Sequence, residues 1–191
     1  MDISTFWDII DAARAAAGPG RPFHEALVDH LATRTQQDIL EYQERFNEMS
    51  AALSRWDVWA AAYLIAGGCS DDSFTDFKAG LIAQGRDWYQ KAAASPDSLA
   101  GHPATADAVH RPWDKPPLFY EEVNYAAPYA FERVSGDDHG FYDAWDRYSA
   151  SREQHDRSPV DMGEDFDFDD AQQMRRRLPR LSAICLGNGS A

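Results

Sequence analysis

The residues best placed to do chemistry cluster in one short stretch. Cys69 stands between Gly67-Gly68 and the acidic helix start Ser70-Asp71-Asp72. A thiol at the positive end of a helix is biased toward the nucleophilic thiolate. Asp71 and Asp72 oppose that bias, because neighbouring negative charge disfavours an anion. The same two acids have the chemistry of a general base or of half a cation site, although adjacent helical residues diverge by about 100° and need not converge. One turn into the preceding apolar helix lies Asp57, among Trp56, Trp59 and Tyr63. Asp57 buried together with Asp71 would make a site, whereas exposed acids would be helix caps. The catalytic candidates are therefore Cys69, Asp57, Asp71 and Asp72, and the ligand-binding candidates are Trp56, Trp59, Tyr63 and Arg86. Each has a plain structural reading beside the chemical one: unpaired cysteines are among the most buried residues, and helical aromatics usually pack. No histidine lies near Cys69 in sequence; His24, His30, His102, His110, His139 and His155 reach it only through the fold.

The elements that must hold these residues are helical. Ile3, Phe6, Trp7, Ile10, Ala13 and Ala17 recur every three or four residues and stop at Gly18-Pro19-Gly20. Phe23, Leu27, His30 and Leu31 mark one face of a short second helix. Thr35 with Asp38 resembles a capping box, an acid standing in for the usual Glu, and opens a stripe of Ile39, Tyr42, Phe46, Met49 and Leu53. The next helix starts near Trp56 and closes at Gly67-Gly68, since glycine accepts the left-handed conformation. Ser70 or Asp71 then caps a helix whose stripe runs through Phe74, Phe77, Leu81, Gly85, Trp88 and Ala92. Five helices are thus predicted by Ser95.

The second half is less regular. Pro103, Pro112, Pro116 and Pro117 punctuate a loop, and shorter helices are expected at 118–124, 129–134 and 141–149. The rings of Phe119, Tyr120, Tyr125, Tyr129, Phe131, Phe141, Tyr142, Trp145 and Tyr148 read as a second layer over the first five helices, with an aromatic-lined pocket as the alternative. Four tryptophans are followed by aspartate, but their unequal spacing and helical surroundings exclude propeller repeats. The expected architecture is all-α, a compact multi-helix array in a single domain over 1–186, with a disordered tail at 187–191.

Composition narrows the function classes. Against 18 basic residues stand 32 acidic ones, a formal charge of −14. Such a surface repels phosphate backbones and anionic membranes, so neither nucleic acid nor a membrane is expected as partner. Two cysteines give neither a disulfide framework nor a zinc set, which suits a reducing cytoplasm. No apolar run approaches the ~20 residues of a membrane span, and Met1-Asp2-Ile3-Ser4 lacks the basic start of a signal peptide.

Asp165, Asp167 and Asp169 alternate like the first ligands of a calcium loop. Asp170 stands where that loop needs glycine and Arg176 where it needs glutamate, so an EF-hand is excluded. Phe166 and Phe168 instead anchor an extended segment, and Asp169-Asp170 open the last helix. Its Arg175-Arg176-Arg177, with Arg180, are expected to pair with the chain's own acids or with a carboxylate partner. No nucleophile elbow, zinc-protease helix, P-loop or dinucleotide fingerprint is present, and no metal or cofactor is expected.

Trp56-Asp57-x-Trp59, Ala62-Tyr63-Leu64-Ile65 and Gly67-Gly68-Cys69-Ser70-Asp71-Asp72-x-Phe74 together resemble an uncharacterised bacterial family, commonest in actinobacteria, called domain of unknown function 4240. The likeness continues through Leu81-Ile82-Ala83-Gln84-Gly85-Arg86, Pro96-Asp97-Ser98-Leu99-Ala100, Asp169-Asp170 and the Arg175 to Leu181 stretch. Residues 102–116 and 148–163 match none of the pattern. The resemblance implies membership and brings no activity with it.

Two functions of different class follow. The first is a cytoplasmic ligand- or protein-binding module, its partner a small molecule or a basic protein. The second is an enzyme of small-molecule or specialised metabolism that uses the Trp56 to Asp72 corner. The enzyme reading demands a concave pocket and a buried carboxylate there. The module reading is preferred, because packing alone explains a Trp, Gly and Cys cluster.

Overall fold

The computed structural model describes residues 1–106, 116–150, 152 and 161–187. Pro112, the Trp113-Asp114 pair, His110, His155 and the tail residues 188–191 fall outside the described residues. Along the chain run α1 (Ile3–Ala16), α2 (Phe23–Leu31), α3 (Gln36–Ala52), α4 (Trp56–Ala66), α5 (Asp71–Ala83) and α6 (Arg86–Ala94). A 3-10 turn at Pro96–Gly101 leads to α7 (Pro103–Ala106), and another at Glu121–Tyr125 leads to α8 (Ala126–Ser135). The remaining helices are α9 (Gly140–Ala150), α10 (Ala171–Arg177) and α11 (Pro179–Cys185). The fold is all-α; among the described residues the only extended pairing is one bridge between Gly18 and Arg21.

Local chemistry sets the helix ends. Asp2 caps α1 by accepting the Thr5 amide at 2.8 Å. The Thr35 and Asp38 box closes in both directions: the Asp38 amide donates to Thr35 Oγ1 at 3.1 Å, and the Thr35 amide to Asp38 Oδ2 at 3.2 Å. The Thr35 hydroxyl, donating to the same Oδ2 at 2.7 Å, and then the Thr35 amide hold the Asp38 carboxyl below its usual range. The helix expected to run unbroken from Phe74 to Ala92 is two helices. Gly85, at φ 86°, turns the chain between α5 and α6, so six helices precede Ser95. The last helix is likewise split, because Pro179 has no amide to continue the ladder and starts α11 as its first residue. Over 118–124 the expected α-helix is replaced by a bend at Leu118, φ 69°, and the 3-10 turn that follows.

The described residues group into two compact units, each assembled from two stretches of chain. The first takes Met1–Met49 with Glu121–Pro159, the second Ser50–Tyr120 with Val160–Ala191. In the first unit α2 packs against α1 and α8, and α8 against α9. Its core holds Phe6, Ile9, Ile10, Leu27, Leu31 and Ile39, with Tyr42 stacked between Phe6, 5.3 Å away, and Phe46, 6.2 Å away. The second-layer reading of the later aromatics holds in this unit for Phe131, Phe141 and Tyr148, which are buried. It fails for Tyr125, Tyr129 and Tyr142, exposed at 42%, 50% and 54%.

In the second unit α4 is buried on most of its circumference through Val58, Ala60, Ala61, Ala62, Leu64 and Ile65. Around it lie α5, α11 and the Pro96–Gly101 turn. Gly80 of α5 gives the closest backbone approach: a Cβ there would stand 1.8 Å from the Leu118 carbonyl oxygen. The Asp97 carboxylate caps α11 by accepting the Arg180 and Leu181 amides at 3.0 and 2.9 Å.

Candidate functional site

The corner between α4 and α5 is built by its turn. Gly67 at φ 70° and Gly68 at φ 140° occupy backbone conformations that side chains resist, and the Gly68 amide donates to the Tyr63 carbonyl at 2.9 Å. Ser70 then caps α5, its Oγ accepting the Ser73 amide at 3.2 Å. Between the two helices Trp59 Nε1 donates to the Cys69 carbonyl oxygen at 3.0 Å. The Trp59 ring lies between Trp56, 5.5 Å away, and Phe74, 4.8 Å away, each within 8° of parallel.

A second stretch of chain completes the corner. Phe168 meets Trp56 edge-on at 6.1 Å and lies 5.5 Å from Tyr63, with Phe166 behind it at 5.2 Å. The Tyr63 hydroxyl donates to the Asp169 carboxylate, which raises the phenol's pKa. The Trp56 amide donates to the Met162 carbonyl at 3.0 Å. Phe166 and Phe168 thus anchor this segment as its sequence predicts, while Asp165, Asp167 and Asp169 stay exposed. Arg177 pairs with Glu164 at 2.8 Å and lies 4.3 Å over the Phe166 ring, so this one arginine of the cluster meets one of the chain's own acids.

The chemical candidates are placed as follows. Burial raises the Cys69 thiol to about 12, outweighing the opposing hydrogen bond from Trp59, so at neutral pH it is a protonated thiol. The thiolate favoured by its place before a helix is thereby overturned by desolvation. Asp57 is not buried; its side chain is 39% exposed and held by Arg55, whose Nε and Nη2 donate to it at 3.0 and 2.6 Å. Arg55 Nη1 also donates to the Ala93 carbonyl at 2.6 Å, tying the start of α4 to the end of α6. Asp71 and Asp72 lie exposed in the first turn of α5, where acids complement the helix dipole. Arg86 begins α6 and is exposed, and among the described residues no hydrogen bond, ion pair or ring contact joins it to the corner. The structure therefore brings together Trp56, Trp59, Tyr63 and Cys69, and leaves Asp71, Asp72 and Arg86 on the surface. No three His, Cys, Asp or Glu side chains among the described residues are grouped to hold a metal ion.

Three features escape the sequence reading. Lys78 donates to Ser54 Oγ at 3.1 Å and lies 5.0 Å over the Phe74 ring; burial lowers its pKa. The signal was its position four residues after Phe74, one helical turn on. The partners that Phe168 and Asp169 find, Trp56 and Tyr63, lie far back along the chain, which no local periodicity reveals. The third feature is a groove in the first unit of about 280 Å³, lined by His24, Glu25, Val28, Tyr129, Glu132 and Arg133. Tyr129 and Glu132 at helical spacing on α8 were its trace in the sequence.

Charge in the groove is unevenly satisfied. Arg133 pairs with Asp29, which also receives Arg21, and the two guanidinium groups hold the Asp29 carboxyl below its usual range. Among the described residues Glu25 and Glu132 form no ion pair.

Residues 1–133 match a family model described as protein of unknown function (DUF4240). No curated protein and no solved structure matches the chain. The stretch that carries Phe168 and Asp169 to the corner lies beyond the matched residues.

Proposed function

The chain belongs to the DUF4240 family of proteins of unknown function, and we propose that it is a non-catalytic, acidic interaction module that engages a partner without transforming it. One observation carries this reading: the reactive groups of the corner are engaged within the chain itself. The Cys69 thiol is held protonated, Asp57 is neutralised by Arg55, and the Tyr63 hydroxyl is given to Asp169. A nucleophile or general base needs a free, suitably ionised group, and these three are spent on positioning backbone and rings. The corner serves as a clamp that fixes α4, α5 and the 161–170 segment.

A formal charge of −14 suits a basic protein partner and disfavours nucleic acid. A cytoplasmic location fits Cys69 and Cys185, both unpaired. No helix among the described residues is long and apolar enough to cross a membrane.

Native mass spectrometry of the protein isolated gently from its own host, read beside its denatured mass, tests the proposal. The expected result is a co-purifying protein that is lost on denaturation. A retained small molecule with no protein partner would instead make the Trp56 to Asp72 corner a ligand or active site.

A further inference from the structure

We infer that the groove between α2 and α8 receives a lysine or arginine side chain of a protein partner, an inference that rests on the interaction-module reading. Size is the first argument. At about 280 Å³ the groove falls below the ~300–1,000 Å³ of pockets that enclose drug-sized ligands, and it suits a single long side chain.

The lining then selects the kind of side chain. Val28 and the half-exposed Tyr129 ring offer an apolar bed for a methylene stem. A cation at the end of that stem lies within reach of the Tyr129 ring face, which attracts positive charge. Glu25 and Glu132 supply carboxylates without ion-pair partners among the described residues; Asp29 is shared by Arg133 and Arg21, so these three acids and two bases together leave the groove with a net negative charge. An apolar or acidic side chain would strip water from Glu25 and Glu132 and return no counter-charge, which is costly. A second copy of this chain is disfavoured as occupant, since two molecules of net charge −14 repel at long range.

One exposed tyrosine extends the contact surface beyond the groove. Tyr125 lies 6.2 Å from the Tyr129 ring and is exposed. Tyrosine supplies large contact area at low entropic cost and is enriched at interfaces.

Photo-crosslinking in the native host tests the inference on the full chain. Benzoylphenylalanine replaces Tyr125 beside the groove or, in a separate strain, Asp72 at the corner, and the adducts are sequenced. The expected result is adducts at position 125 on peptides with a lysine or arginine next to the attachment point. Their yield should fall at least tenfold in the Glu25→Gln/Glu132→Gln variant. Both glutamates are exposed and the replacements isosteric, so an unchanged thermal melt verifies folding. Adducts at position 125 that ignore the double substitution, or that lack a basic residue, overturn the inference and leave the module reading standing. Adducts only at position 72 do the same. Adducts at neither position overturn both.

Discussion

Trp59 and Cys69 hold the two sides of the glycine turn together: the indole N–H of α4 donates to the carbonyl oxygen of the residue that precedes α5's cap, at 3.0 Å. The same ring is the middle member of the Trp56, Trp59, Phe74 stack. Trp59→Phe keeps an aromatic in the stack and removes only the donor. It is expected to cost about 1 kcal/mol, the usual net worth of one hydrogen bond, while Trp59→Ala costs about 3–5 kcal/mol through the lost packing. Urea denaturation of the two variants separates these contributions. No loss in Trp59→Phe would mean that the bond contributes nothing, and equal losses that the stack adds nothing beyond the bond.

The Cys69 thiol should be unreactive. With its pKa raised from 9.0 to about 12, the thiolate fraction at pH 8 falls on the order of a thousandfold below that of a free cysteine. Iodoacetamide labelling of a Cys185→Ser background should be correspondingly slow and should accelerate on unfolding. The sign of the linked stability follows, because the folded state holds the proton more tightly than the unfolded chain. Stability from this group is complete below about pH 9 and declines as pH rises toward about 12. Fast labelling at pH 7 would show a functional thiolate and sink the module reading.

Tyr42 carries a hydroxyl with no hydrogen-bond partner among the described residues, 1% exposed between Phe6 and Phe46. Its pKa is raised by burial alone. A buried unpartnered hydroxyl costs about 1–3 kcal/mol, so Tyr42→Phe should stabilise the protein by about 1 kcal/mol or leave it unchanged. A destabilisation above 1 kcal/mol in thermal denaturation would reveal a polar role for the hydroxyl.

Gly80→Ala should be strongly disfavoured. The new methyl would stand 1.8 Å from the Leu118 carbonyl oxygen, an atom of the backbone that cannot rotate away. Overpacking of this kind costs about 1–3 kcal/mol or more. Limited proteolysis between Pro116 and Tyr120 is the sharper readout, because displacement of that segment should expose it. Unchanged stability together with an unchanged cleavage pattern would refute the close approach.

Much of this organisation is written locally in the sequence. The Thr35 and Asp38 box, the Gly67 stop and the Ser70 cap each depend on side chains within three or four residues, and each closes as its pattern implies. Gly85 misled the periodicity argument, because the apolar stripe continues in register across a break that only φ reveals. At the corner, the aromatic grouping was legible and its chemistry was not. Asp57 meets Arg55 two residues away instead of entering the core, and Tyr63 meets Asp169, a partner 106 residues distant. Those choices are made by tertiary packing, which short-range patterns do not encode. The exposed Tyr129 reads as core for the same reason, since helical spacing records a face of α8 and not what covers it.

Each compact unit draws on two separated stretches of chain, and this orders the protein's birth. As the chain leaves the ribosome, at roughly 5–20 residues per second, residues 1–49 wait for 121–159, and residues 50–120 wait for 160–191. The Trp56, Trp59 and Tyr63 rings are synthesised early and remain without Phe168 until more than half of the chain has followed. During that interval an apolar helix and its aromatic edge are open to chaperones and to wrong partners. The Phe166 to Asp169 stretch is then a late-arriving latch, and truncations before it should yield nascent chains that depend on chaperones.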